Sequence, residues 1–494
     1  MRLSDAQRTR TVEYLTEERR GVRLAMVRKG QARDAGKTST RNVELAAALE
    51  EAGCTYETLA THVNRLARHQ GQVTKYDKGT VSRWISGTPP RADVVWVIAE
   101  ALSELLGRAI QPQDLNFTTA DECAPVVIRS LLYRENLSET LHTLAELSSE
   151  DVNRRTLLGA VPFISNALLA PQRSWLLWAW EQAEAEAPDL AVMSPSERVG
   201  KVYTMISMFD QMDNAYGGEG VRTSILTFLN LEVLPLLRRG VRSSERIPLF
   251  TAAAKLGAMA GWSSYDCGEY GLAQRYMTQA LRLCQEGGDL VLAGQILAGL
   301  SHLATNLGHP EDGVYLARAG LQTAKHAGSP LGLMRLYAML ARGYAAQQHA
   351  DEAHRALGAA ESVLAQSPGV DQESAWVRYL DHHYLEAEAA CAYRDLGQAQ
   401  RAEQMAAESV RANPDRRRRQ AISQSVLATA YLQQNRLDEA LASARTALTS
   451  LEAVRSQRSV QALRDFGLRL EARRKEPAVQ HFLHLAKPVL RHAS

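Results

Sequence analysis

Apolar residues recur at three- and four-residue spacing along most of the chain, the period of a helix with one buried face. Residues 43–51 put Leu45, Ala48 and Leu49 on one side, and Gly53 is a C-terminal stop. Thr55 opens a second helix, striped by Leu59, Val63 and Leu66. A polar loop runs from Arg68 to about Tyr76. It leads to a third helix over about 78–85, ended by Gly87 with Pro89 and Pro90 beyond. A fourth, 94–106, carries Val94, Val97, Ile98, Ala101, Leu102 and Leu105, and Leu115 and Phe117 cover the end of this small core.

From about residue 250 a longer period appears, of large–small–large positions on one helix and small–large–small positions on its partner. Such a pattern lets two helices of a hairpin approach closely and stack on the next pair, as in tetratricopeptide arrays. Five segments fit, and the third is the clearest: Tyr337, Leu340, Ala341, Tyr344, Ala353, Leu357 and Ala360. Corresponding positions recur roughly every 38 to 49 residues, so the excess over the usual 34 is expected in loops. The expected fold class is all-α: an N-terminal helix-turn-helix domain followed by an α-solenoid of tetratricopeptide-like hairpins. The expected divisions are a basic arm (1–42), the small domain (43–117), an all-α connector with or without degenerate repeats (118–245), the array (246–455) and a capping helix (456–494).

Composition agrees. β-Branched and aromatic residues are sparse, and 494 residues are too many for one core. Formal net charge is only +2. Between Arg19 and Arg91, however, roughly fourteen Lys/Arg face six Asp/Glu, about +8, the footprint of a nucleic-acid partner. The cysteines, Cys54, Cys123, Cys267, Cys284 and Cys391, are scattered and never at CxxC spacing, which fits a reducing cytoplasm. No apolar stretch suggests a secretory signal or a membrane span. Arg154-Arg155-Thr156-Leu157-Leu158-Gly159-Ala160 mimics an export motif but lies far inside the chain.

The candidate chemistry sits at Tyr76-Asp77-Lys78-Gly79-Thr80-Val81-Ser82-Arg83-Trp84-Ile85-Ser86-Gly87. Val81, Trp84 and Ile85 share a face able to pack on Leu59 and Val63. Lys78, Gly79, Ser82 and Arg83 point elsewhere, where lysine, arginine and serine suit phosphate or base edges. Lys75, Thr80 and Arg91 complete the candidate DNA-binding set. At Leu59-Ala60 and Val81 through Gly87 the chain resembles the Cro/phage-repressor class of helix-turn-helix domains, departing from it in the long loop from Arg68 to Lys75. Tyr76 through Trp84, Arg154 through Ala160, Gly261-Trp262 with Tyr265-Asp266, and Ala280-Leu281-Arg282-Leu283 resemble actinobacterial regulators that join this domain to tetratricopeptide repeats. The resemblance implies a repressor of differentiation, sporulation and antibiotic production. A fold-level likeness to peptide-sensing regulators of firmicutes implies a short peptide ligand.

The first helix of each hairpin is expected to line the concave face, with Trp262, Tyr265, Asp266, His302, Asn306, Arg342 and Arg394 as candidate partner-binding residues. Any one of these is more often structural or solvated; together they suit a peptide carboxylate and backbone. Gly30 through Thr38 is one residue too long for a phosphate loop, and no strand precedes it. The pairs His382-His383 and His481 with His484 lack a third ligand. No enzyme, cofactor or metal is expected. The expected partners are double-stranded DNA, a peptide or protein ligand and a second copy of the chain, in the cytoplasm at the nucleoid. The rival reading is an interaction scaffold whose helix-turn-helix domain does not bind DNA by itself.

Overall fold

Asn42 starts the first element: its side chain accepts from Leu45 N (2.8 Å) and donates to Leu115 O (2.8 Å), while its own N–H reaches Ile85 O (2.7 Å). One residue thus caps a helix and ties three segments of a small unit. That unit comprises α1 (Val43–Glu51), α2 (Tyr56–His69), α3 (Lys78–Ile85), α4 (Ala92–Leu106) and a 3-10 turn, Pro112–Leu115. Its core is the apolar set expected, with Leu45, Leu59, Val63, Val81, Ile98 and Leu102 at zero exposure. The computed structural model describes residues 41–494 except 70–73, 107–109, 111, 118–125, 135, 154–160, 185–195, 241, 368, 413–415, 453–455 and 492–494. The expected basic arm, apart from its last two residues, and the segment Arg154 through Ala160 lie outside the described residues.

Next come α5 (Val126–Arg129), α6 (Leu137–Asn153), α7 (Leu169–Glu184), α8 (Glu197–Tyr216), α9 (Gly218–Phe228) and α10 (Leu234–Arg239). A π turn, Leu229–Val233, joins the last two next to Pro235, which cannot donate the regular helical bond. By length and composition alone, Gly218–Arg239 could cross a membrane. Here its apolar residues Val221, Ile225, Leu226, Leu229 and Val233 are spent on the protein core.

Five hairpins follow: α11 (Ser243–Asp266) with α12 (Tyr270–Gly287), α13 (Leu290–Asn306) with α14 (Pro310–Ala327), α15 (Pro330–Ala346) with α16 (Ala350–Ala365), α17 (His382–Asp395) with α18 (Ala399–Ala412), and α19 (Arg417–Gln433) with α20 (Leu437–Glu452). Their turns share one stereochemistry. Gly268, Gly308, Gln348, Gly397 and Asn435 have φ of 82°, 86°, 62°, 70° and 61°. In each hairpin the next N–H returns at 2.9 Å to the carbonyl five residues back, for example Glu269 to Ser264 and Arg436 to Tyr431. This left-handed stop satisfies the orphan carbonyls and reverses the chain within three residues.

Successive first helices pack on one another and form the inner layer, and each second helix also packs on the following first helix. The chain is therefore all-helical among the described residues, a solenoid of stacked hairpins. The extra length before α17 is not slack loop. Glu373 accepts from Ser329 Oγ (2.7 Å) and Leu331 N (2.8 Å), which caps α15, and Trp376 Nε1 donates to Asp289 Oδ2 (2.6 Å). The expected single capping helix is two, α21 (Gln457–Arg469) and α22 (Pro477–Arg491). The break precedes Pro477, because the residue before proline is pushed out of the helical region.

The array closes on its own start. Asp266, at the end of α11 and fully buried, accepts from Gly218 N (3.2 Å), Ser456 Oγ (2.7 Å) and Arg458 Nε (3.0 Å), with Arg418 Nη1 at 3.4 Å. Burial opposes its ionisation, but Arg458 and Arg418, helped by Ser456 and Gly218, hold the carboxyl below its usual range. A lowered folded-state pKa stabilises fully above the unfolded value of about 3.9, and that contribution is lost as pH falls through the folded value. Asp266→Asn is expected to cost about 3 kcal/mol at pH 7, the scale for removing one partner of a buried ion pair. Hydrogen exchange should show α21 loosening first; unchanged protection in α21 would mean that closure does not depend on Asp266.

Candidate functional site

Two regions gather the candidate residues. On the N-terminal unit, α3 buries Val81, Trp84 and Ile85 and exposes Lys78, Gly79, Ser82 and Arg83. Asp77 begins it, accepting from Thr80 N (2.8 Å) and Thr80 Oγ1 (2.7 Å); those bonds lower its pKa. Arg83 Nη2 donates to Thr80 Oγ1 (3.1 Å), so the Thr80 hydroxyl is committed within the helix, while Lys78 and Ser82 stay open. Lys75 is exposed on the approach to α3, and Arg91 is exposed at the start of α4, its carbonyl accepting from Val94 N (2.9 Å). An open depression of about 470 Å³ separates the beginnings of α2 and α3, lined by Thr55, Tyr56, Glu57, Lys78, Gly79 and Ser82.

The loop between α2 and α3 is pinned at its far end. Asn64 Nδ2 donates to Tyr76 O (2.7 Å), and its Oδ1 accepts from Tyr76 N (2.9 Å) and Thr74 Oγ1 (2.8 Å). Tyr76 then meets Trp84 edge to face at 5.3 Å. Asn64 was not singled out from sequence; its one signal is an amide beside the apolar stripe of α2.

The second region is the inner face of the array. Trp262, Tyr265, His302, Asn306 and Arg342 come together there. Tyr265 Oη lies 3.0 Å from His302 Nδ1 and accepts from Asn306 Nδ2 (2.5 Å). Arg342 donates to Asn306 Oδ1 (2.9 Å) and Glu388 Oε2 (2.7 Å). The Trp262 ring centroid is 5.7 Å from that of Tyr265, and the guanidinium groups of Arg335 and Arg458 lie 5.2 Å and 5.4 Å from it. Asp266 serves the closure instead of lining a groove, and Arg394 turns to its neighbour Asp395 (2.6 Å). Arg335, Glu388 and Arg458 were missed. The pattern marked their helices, but their meeting depends on superhelical curvature.

A third set of contacts joins the two regions. On α12, Gln274 exchanges hydrogen bonds with the backbone of Ile164 (2.9 and 2.6 Å), and Gln279 Nε2 donates to Ser130 O (2.7 Å). Arg275, fully buried, donates to Val127 O (2.6 Å), Pro162 O (2.8 Å) and Gly271 O (2.8 Å). A Cβ on Gly271 would stand 2.1 Å from Val161 O, so only glycine admits this strand of backbone. The stapled segment carries Ile164 and Ala167 against Trp96 of α4, with Asn166 Nδ2 donating to Ser103 Oγ (2.7 Å). Phe163, beside them, packs on the cluster of Tyr265, Ala273 and Leu303.

Over the N-terminal unit, residues 45–118, the chain is similar to the family described as the SP15 N-terminal domain. No curated protein matches the chain. The family match ends where the small unit ends, so the array stands on its geometry alone.

The inner face is electrostatically tense. Burial raises the Tyr265 phenol to about 12. Burial, opposed by Glu388 and aided by Arg342, Arg458 and Arg335, pushes His302 down to about 3. An unfolded histidine takes a proton near pH 6.5, whereas this one stays neutral until about 3. Stability is therefore lost progressively as pH falls from about 6.5 towards 3. His302→Gln should flatten that fall between pH 6.5 and 4.5 in denaturant titrations. An unchanged slope would assign the acid sensitivity to another group.

Proposed function

We propose that the protein is a DNA-binding transcription regulator whose inner face receives a peptide or protein partner. The observation that carries the first half is the exposed face of α3. Lys78, Ser82 and Arg83 stand together there, Lys75 and Arg91 flank them, and the beginnings of two helices open onto one depression. In this reading α2 and α3 are a helix-turn-helix, with α3 in the major groove, Arg83 and Ser82 on base edges, and Lys75, Lys78 and Arg91 on phosphates. Two copies on paired half-sites would supply the DNA contact area that one small unit lacks. The resemblance to actinobacterial regulators makes repression of developmental or secondary-metabolite genes the expected output.

The second half rests on the aromatic and arginine residues gathered at the inner face. Phe163 touches that cluster and adjoins the residues packed on Trp96, so a shift at the inner face has a packed route to the N-terminal unit.

Genomic fragments captured by the purified protein, then titrated at two salt concentrations, test the DNA reading. Discrete fragments should bind, more weakly in salt. Arg83→Ala should lose about tenfold or more on the preferred fragment, and Lys78→Ala should weaken all fragments alike with a shallower salt slope by about one. Weak, sequence-independent binding that neither variant changes would favour the scaffold reading.

A further inference from the structure

Arg335, on α15, is 4% exposed and has no carboxylate partner among the described residues. Its Nη1 donates to Gln295 Oε1 and to Tyr379 Oη (2.7 Å), and its guanidinium faces the Trp262 ring. Its Nε has no acceptor. The same is true of Gln295 Nε2 on α13, Arg342 Nε two turns further along α15, and Arg419 Nη1 on α19, which lies 4.0 Å from Asp381. Tyr384 neighbours the group: Arg419 lies over its ring at 5.7 Å, and the ring meets that of Tyr379 edge to face at 6.4 Å. These orphans are all donors, and all belong to the inner layer.

A buried guanidinium without an anion is costly, and each unpaired buried N–H adds to the cost. Other buried guanidinium groups of this protein have an anion or a set of carbonyls: Arg275 has three carbonyls, and Arg222 pairs with Asp151, although its Nε too is without an acceptor. Arg335 has neither a carboxylate nor a set of carbonyls, and its buried donors suit an anion. One unneutralised charge calls for one negative charge, and the neighbouring Glu388, already held by Arg342, would repel a dianion. The flat fork of an arginine between aromatic walls matches a planar, two-oxygen acceptor. Tyr379 is 46% exposed and Trp262 half-buried, so the cluster has an exposed edge.

We propose that Arg335 anchors a carboxylate subsite on the inner face, with Gln295, Trp262, Tyr379 and Tyr384 around it, for the carboxylate of a peptide terminus or of a small organic acid. The inference rests on the reading that the inner face receives a ligand, and its test does not involve DNA.

Thermal melting of the full chain tests it, in sodium acetate against sodium chloride at equal ionic strength, and in pools of random pentapeptides with free or amidated C-termini. The wild type should melt about 2–4 °C higher with acetate or the free-acid pool than with chloride or the amidated pool. Arg335→Met should abolish that difference and, without ligand, melt at or above the wild-type temperature, because an uncompensated charge has gone. A larger shift from the free-acid pool than from acetate identifies a peptide terminus; equal shifts identify a small acid. A wild type indifferent to carboxylate overturns the proposal, as does a response that survives in Arg335→Met, or a variant melting several degrees lower without ligand. Equal stabilisation by free and amidated peptides would keep the inner face as a peptide site and remove Arg335 as its anchor.

Discussion

A carboxylate with no exposure at the C-terminal end of a helix is in the wrong place twice. It has lost water, and it faces the negative end of the helix dipole. Asp266 is held there because two arginines, a serine hydroxyl and a backbone N–H converge on it from three other parts of the chain. The positions of α9, α19 and α21 are thereby referred to the end of α11. Within the turn before it on that helix stand Trp262 and Tyr265, so the inner face inherits its geometry from this junction. Arg458 makes the dependence explicit: it binds Asp266 and lies over both aromatic rings.

The opposite side of the first hairpin does different work. α12 turns a row of polar side chains, Gln274, Arg275, Gln279 and Arg282, onto the backbone of the segments that lead out of the N-terminal unit. Side-chain-to-backbone bonds of this kind hold a segment without asking for any particular sequence in it. Trp96 then rests on a platform positioned by the array. The first hairpin thus has an inner-face layer and a docking layer one helix apart, the closeness that the proposed transmission between them needs.

Much of the fold was legible in the chain. The pattern over residues 43–117 is local, and the four helices and their core follow it closely. The repeat was legible too, since its small residues and left-handed turn positions are sequence properties. The connector was not, because α7 packs against α14 through Trp175 and Thr323, residues far apart in sequence. The site was read in part. Trp262, Tyr265, His302, Asn306 and Arg342 recur at the register that faces inward, which periodicity reveals. Asp266 and Arg394 share that register but are claimed by nearer charges. Arg335 and Glu388 escaped because nothing in their own helices distinguishes them from solvated residues; only curvature makes them neighbours. Asn64 and Asn42 escaped because an amide that organises the backbone around it looks, in sequence, like any polar residue.

An open solenoid is indifferent to how many units it contains, because each unit meets only its neighbours and an added one lengthens the rod. Here the first hairpin and the segment after the fifth share one carboxylate. An inserted or deleted hairpin would carry Ser456 and Arg458 out of reach and strand a naked charge in the interior. The number of hairpins is therefore as fixed as a residue in a core, and variation in this architecture is confined to the side chains of the ring rather than its circumference.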